Sequence, residues 1–344
     1  MVQPTPYETL HTAITGYMLS SVLGAAAELD CFTWIIDQGN SADIPTMAHA
    51  LQLDPRGTGV LLDALAAHGF LIKKGIGDAA RYSVPEPYLE LLHSRHPDTF
   101  VPMLRHMACC QRSWTQLSWS VRDGEPQPRP PSILGAEEDR VSFIQAMHAV
   151  ALRLVGPTMA SLHQAGILSF DVPQPRILDV GGASGTYALA LLEAVPGSHV
   201  TIFDLPVGIR QARTRFADSA FADRVELVEG DYLRDALPKG HNLAWVSAII
   251  HSLGSEECVR LYQNVHQALV DGGLAVIRDY FMSPDRTSPP AGTLFGVNML
   301  VNTAHGQVYT FEETRNDLER AGFTDVRLAV DVPSMSAIVT GRKG

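Results

Sequence analysis

Ile177-Leu178-Asp179-Val180-Gly181-Gly182-Ala183-Ser184-Gly185 is an apolar run with one acid that passes into a glycine-rich turn. Such a run reads as a buried strand, and glycines at its carboxyl end let the backbone turn tightly and approach a ligand closely as a helix opens. The spacing departs from the dinucleotide fingerprint. Counted from Gly181, the second glycine of GxGxxG falls on Ala183, which disfavours a nicotinamide cofactor. An acid, Asp204, closes the next strand about twenty residues later, where a carboxylate can accept hydrogen bonds from both hydroxyls of a ribose. Asp231 follows the strand after that, at the height of an adenine edge.

Outward from this turn, the strand candidates are 176–180, 199–204, 225–229, 243–250, 274–280, 326–330 and 336–340, with amphipathic helices between them. This alternation predicts an α/β fold with a parallel, doubly wound sheet of seven strands. Ligands of such sheets bind beyond the carboxyl ends of the strands. His251 follows the apolar run Ala248-Ile249-Ile250 and is expected at the carboxyl end of the fourth strand, while Asp279 ends the fifth. If those strands are neighbours, the carboxylate can reach the imidazole and fix its tautomer. An imidazole so held is suited to take a proton from a phenol.

Ahead of the sheet, residues 7–29, 44–51 and 54–68 carry apolar positions at helical spacing, with Asp54 as an N-cap and Pro55 at the first helical position. Residues 69–72 and 81–84, separated by a glycine-containing turn, read as a two-stranded wing, so this part is a winged helix. A DNA-reading helix needs cations for phosphates, yet the helix after Asp54 offers only Arg56, and Lys73, Lys74 and Arg81 lie on the wing. The apolar first helix, with Met18, Leu19, Val22 and Leu23, is expected to pack against another subunit. A helical segment over roughly 87–168 is broken at 124–131, where four prolines stop any helix.

Composition narrows the function classes. The chain has 344 residues, enough for about two domains with real cores. It has 26 basic and 37 acidic residues, a formal net charge of −11, which disfavours unspecific attraction to nucleic acid or anionic lipid. The first Lys or Arg is Arg56, so the apolar stretch 17–29 lacks the basic region of a secretory signal and is too short for a membrane span. A cytoplasmic protein is expected. Cys31, Cys109, Cys110 and Cys258 lack CxxC spacing, which fits reduced thiols, and Cys109 and Cys110 near His106 match no usual metal-ligand set.

The motifs DVGGASGTYALAL, TIFDLP, VEGDYL, IIHSLGSEEC, ALVDGGLAVIRDY and YTFEETRNDLERAGF stand in order along the chain. In order and spacing they resemble those of the S-adenosylmethionine-dependent O-methyltransferases of the caffeic acid, hydroxyindole and bacterial polyketide type. The winged-helix start resembles that family's dimerisation domain. The resemblance implies a homodimer with a winged-helix dimerisation domain over 1–95, a helical connecting and acceptor-pocket segment over 96–168, and a Rossmann-type S-adenosylmethionine-binding domain over 169–344. It places Gly181 and Gly182 against the methionine part of the cofactor, Asp204 and Leu205 at its ribose, and Asp231 and Tyr232 at its adenine. Asp179 and Gly230 complete that set, with Ser247 where many plant members carry a cofactor-contacting lysine.

The same resemblance makes His251 the catalytic base and Asp279 its supporting carboxylate. A second supporting glutamate of the family aligns with Val308, which cannot hydrogen-bond an imidazole, and Ser252 and Leu253 stand where Asp and Trp are usual. Methionines lining the family's acceptor pockets match Met147 and Met299, with His148, Asn298 and Asn302 as polar groups to orient a small aromatic acceptor. Methylation at carbon or nitrogen, and members that bind the cofactor without transferring its methyl, are the alternatives within the family. A ligand-sensing winged-helix regulator is the alternative outside it.

Overall fold

A computed structural model describes residues 4–344. They form two compact units: one runs to Arg112 and takes up Arg129–Ala149, and the other joins Ser113–Pro128 to Val150–Gly344. The segment 96–168 is thus shared between them.

The first unit opens with α1 (Pro6–Glu28), held at its start by a capping box in which Glu8 N donates to Thr5 Oγ1 and Thr5 N donates to Glu8 Oε2. Next come α2 (Cys31–Asp37), α3 (Ile44–Leu51) and α4 (Pro55–Ala67), the last two capped by Asp43 and Asp54. The wing is β1 (Ile72–Lys74) against β2 (Arg81–Ser83), to which Ala42 adds an antiparallel bridge at Tyr82. Phe32, Ile35, Met47, Leu62, Leu65 and Tyr82 form the core of this unit. Two differences from the sequence reading stand out. Helix α2 was not expected, because a seven-residue apolar run entered through a left-handed Asp30 has no cap to announce it. The wing also begins later, since 69–71 form a turn rather than a strand.

Helix α5 (Val101–Trp114) lies close against α1: a Cβ on Gly24 would stand 2.7 Å from that of Ala108. Arg105 donates to the Ala27 carbonyl, and Arg112 pairs with Glu28. Along the other side of α1, Tyr7, Leu10, Ile14, Tyr17 and Met18 form a stripe with exposures between 52% and 75%. Helices α6 (Leu117–Asp123) and α7 (Ala136–Gln164) follow.

In the second unit the chain alternates β3 (Arg176–Val180), α8 (Thr186–Ala194), β4 (His199–Asp204), α9 (Pro206–Phe216), β5 (Val225–Glu229), β6 (His241–Ser247), α10 (Ser255–Ala268) and β7 (Leu269–Asp279). The pair β8 (Phe281–Met282) and β9 (Tyr309–Thr310) flanks α11 (Pro290–Asn302), and α12 (Phe311–Arg320), β10 (Phe323–Val330) and β11 (Ala337–Lys343) close the chain. The seven strands run in the order β10-β11-β7-β6-β3-β4-β5, parallel from β7 to β5 and antiparallel at β11. Side chains alternate across the sheet. Leu178, Val246 and Ile277 pack on Leu261, Tyr262 and Leu318, while Ile177, Trp245 and Val276 pack on Leu191, Ile209 and Phe216. Both faces are therefore buried, as the continuous apolar strands require.

The fourth strand is corrected by the structure. It ends at Ser247, not at residue 250, because Ala248 turns left-handed (φ 57°) and Ile250–Ser252 form a 3₁₀ turn. The last two strands start and stop within a few residues of their expected positions. Among the described residues no single helix is long and apolar enough to cross a membrane.

The α1 stripe generates a first prediction. Replacing Leu10 and Ile14 together by lysine removes the apolar surface that an obligate interface would bury. Light scattering is expected to show a shift from dimer to monomer, and an unaltered dimer would place the interface elsewhere.

Candidate active site

The turn after β3 is built for close approach. Gly181 adopts φ 65°, and its N–H donates to the Phe203 carbonyl at 2.8 Å. A Cβ on Gly181 would stand 2.6 Å from Ile249 Cδ1, and one on Gly182 2.6 Å from Asp179 Oδ2. Ala183 is left-handed at φ 47°, the strained position for a residue with a side chain, and is tied down by its N–H to Asp204 Oδ2 at 2.7 Å. The other Asp204 oxygen accepts from Leu205 N at 2.6 Å. Asp204 therefore fastens the glycine turn to the end of β4.

Burial shapes the electrostatics here. It pushes the Asp179 carboxyl up to about 8, with the neighbouring Asp204 charge adding to the rise, so Asp179 is protonated at neutral pH. Burial also raises Asp204, against the lowering pull of the Ala183 and Leu205 amides. Farther along the edge, Asp231 Oδ1 accepts from Leu233 N and its Oδ2 lies 3.4 Å from Arg234. Tyr232, pushed up to about 12 by burial, places Cε1 3.8 Å from where a Gly181 Cβ would lie. Leu205 is exposed and Gly230 half-buried at the same edge. Ser247 Oγ accepts from Arg278 Nη1 at 2.8 Å.

Beyond the carboxyl end of β6, His251 Nδ1 lies 2.9 Å from both oxygens of Asp279, whose side chain is 1% exposed against 13% for the imidazole. A carboxylate on Nδ1 makes that nitrogen the donor and turns the Nε2 lone pair outward. Tyr280 N donates to Asp279 Oδ1 at 2.8 Å and fixes the carboxylate in turn. The expected pairing of the fourth and fifth strands is present, in the register Ser247↔Arg278. His251 itself stands on the 3₁₀ turn beyond the strand. Phe295 meets the imidazole edge-on, centroids 4.7 Å apart, and Tyr280 packs on Phe295 at 5.3 Å. Neither aromatic was singled out from the sequence; the signal was the aromatic residue that directly follows Asp279.

The acceptor candidates separate. Asn298 Oδ1 accepts from Trp114 Nε1 at 2.8 Å and from Asn302 Nδ2 at 3.0 Å, so Asn298 retains only donor capacity. Met299 is buried. Met147 and His148 belong to the first unit, half-buried on α7. Val308 is buried beside Gly296, the neighbour of Phe295, and its carbonyl accepts from Arg286.

Comparison with known proteins bears on this edge. Residues 137–324 match the O-methyltransferase domain family and residues 12–86 the O-methyltransferase dimerisation domain. The acetylserotonin O-methyltransferase of Bos taurus is 31% identical over 333 residues, 93% of each chain. The tetracenomycin polyketide synthesis 8-O-methyl transferase of Streptomyces glaucescens is 31% identical over 331 residues, 94% of this chain and 93% of that one. The crystal structure of human N-acetylserotonin methyltransferase in complex with S-adenosylmethionine superposes over 99% of both chains, with TM-score 0.80 and 26% identity. The chain belongs to the S-adenosylmethionine-dependent O-methyltransferase family, and its amino-terminal part is that family's dimerisation domain. Its residues fit the cofactor. Gly181 and Gly182 keep the turn bare of side chains where a Cβ would collide with Ile249 and Asp179, and Asp179 Oδ2 is buried without a hydrogen-bond partner.

Two expected outcomes follow from this geometry. If Asp204 accepts from the ribose hydroxyls, Asp204→Ala removes that charged acceptor, and calorimetry is expected to show S-adenosylhomocysteine binding weakened by roughly 1.5 to 3 kcal/mol. Unchanged affinity would leave Asp204 as a turn clamp alone. Asp179 has its carboxyl raised in the folded state, so the folded protein binds the extra proton between the ordinary carboxyl range and about 8. Stability is lost as pH rises through that window. Asp179→Asn does not titrate, and its melting temperature relative to the parent is expected to climb from pH 5 to pH 8; a constant difference would contradict the burial effect.

Proposed function

We propose that this protein transfers a methyl group from S-adenosylmethionine to a hydroxyl oxygen of a small aromatic acceptor, with His251 as general base and Asp279 as the carboxylate that orients it. The single observation that carries this is the His251 Nδ1 to Asp279 contact at 2.9 Å, which leaves Nε2 outward on a partly exposed ring. The cofactor supplies an electrophilic methyl on a sulfonium, so the chain has to add alignment and the removal of one proton. His251 Nε2 takes the hydroxyl proton as the acceptor oxygen becomes nucleophilic, and Asp279 stabilises the resulting imidazolium. Phe295 keeps the ring plane from swinging. A base is needed for a phenol and not for a neutral amine, which favours oxygen over nitrogen. Relatives named for O-methylation of acetylserotonin, of a tetracenomycin polyketide and of 3-hydroxy-5-methyl-1-naphthoate support an aromatic acceptor.

In the same reading, residues 1–95 serve dimerisation, 96–168 connect and contribute Met147 and His148 to the acceptor pocket, and 169–344 bind the cofactor. Gly181, Gly182 and Asp179 hold its methionine part, Asp204 and Leu205 its ribose, Gly230, Asp231 and Tyr232 its adenine. Ser247 adjoins them, and Asn298, Met299 and Asn302 shape the acceptor side. Cytoplasmic residence is supported by four free, buried cysteines. The regulator alternative loses its footing on the wing, where Lys73 pairs with Asp63 at 2.6 Å and Arg81 faces Asp43 at 3.7 Å.

The test is kinetic. With a phenolic acceptor that supports turnover, His251→Ala is expected to lower kcat by about 10² to 10⁴ while affinity for S-adenosylhomocysteine stays near the parent value. Asp279→Asn is expected to cost less, and Val308→Glu to reduce activity by burying an unpaired charge. Full activity in His251→Ala would replace the general base with catalysis by proximity alone.

A further inference from the structure

Methyl transfer by the His251 face leaves a buried cation on the other face of the sheet unused. Arg278 follows Val276 and Ile277 on β7, is 2% exposed, and reaches sideways to donate from Nη1 to Ser247 Oγ on β6. Its Nε and Nη2 are buried and find no acceptor. Those two nitrogens share the guanidinium edge that takes a carboxylate in a two-bond fork, whereas the bond to Ser247 uses the remaining nitrogen and fixes the plane. A buried guanidinium with an unpaired fork is costly to keep, and burial pulls this group below the usual arginine range.

The surroundings narrow what the fork can meet. Tyr187, in the first turn of α8 just past the glycine turn, holds its ring 5.2 Å from the guanidinium carbon, and Trp245 packs on Tyr187 at 5.3 Å. Alternation along β3, β6 and β7 puts Asp179, Trp245, Ser247 and Arg278 on this same face. Asp179 Oδ2 and Trp245 Nε1 are likewise buried without partners. The unpaired donor fork, one strand from β6 and under the first turn of α8, is complementary to the carboxylate of an α-amino acid.

We propose that Arg278 is a specificity residue for the amino-acid end of the methyl donor, its Nε and Nη2 holding the donor's carboxylate. This rests on the reading of S-adenosylmethionine as donor. Arg278 thereby separates the intact donor from nucleosides and thioethers that lack the carboxylate, and it fastens the donor by the end farthest from the ribose clamp at Asp204.

Calorimetry on the full-length protein tests it with S-adenosylmethionine, its decarboxylated analogue and methylthioadenosine. The parent is expected to bind the decarboxylated analogue roughly ten- to hundredfold more weakly than the intact donor. Arg278→Met is expected to bind the two about equally, with methylthioadenosine affinity unchanged as the check that the site still folds, and Arg278→Lys to recover part of the discrimination. Equal affinity of the parent for both forms overturns the proposal whatever any variant does. So does full discrimination in Arg278→Met. A parent that binds neither donor form nor methylthioadenosine overturns the donor reading itself, which the first comparison keeps distinct.

Discussion

The parallel ladder that sets Ser247 opposite Arg278 governs the chemistry of this edge. Because side chains alternate along a strand, consecutive residues at the end of β7 go to opposite faces. Asp279 points to the face of α10, where the imidazole meets it, and Arg278 points to the face of α8, where the glycine turn lies. A slip of one residue in this register would exchange a carboxylate for a guanidinium beside His251 and remove the group that can hold the imidazole proton. The apolar residues beneath, Trp245, Val246, Val276 and Ile277, are all buried and make such a slip prohibitive.

Around that ladder the fold accepts local penalties where ligands are to be met. Ala183 stands in a left-handed conformation, Asp179 is held protonated by burial, and Asp204 has a raised carboxyl. Each is a modest cost set against a sheet covered on both sides. With left-handed Ala248 just past β6 and buried Arg278 near the end of β7, these features gather at the carboxyl ends of the strands, the edge at which sheets of this kind bind ligands.

Much of this was legible in the sequence, and the physical reason is visible strand by strand. β3, β4 and β5 were read to the residue because each is an apolar run bounded by Pro, Gly or Asp. The end of β6 was not, since Ala248-Ile249-Ile250 continues the apolar pattern while the backbone has already turned at Ala248 to let Ile249 pack beside Gly181. His251 and Asp279 could be paired from strand adjacency alone. The bond that Trp114, 184 residues away, donates to the Asn298 carbonyl oxygen could not be read, because no local pattern encodes it. Phe295 escaped for the same reason: a helix residue reaches the imidazole only through tertiary packing.

The most direct measurement is a crystal structure of the protein with S-adenosylhomocysteine. The ribose hydroxyls are expected on Asp204, the homocysteine part over Gly181 and Gly182, and the sulfur facing the side on which His251 Nε2 opens, with Nδ1 still bonded to Asp279. A ligand whose ribose does not touch Asp204, or whose sulfur is screened from His251 by the sheet, would contradict this placement.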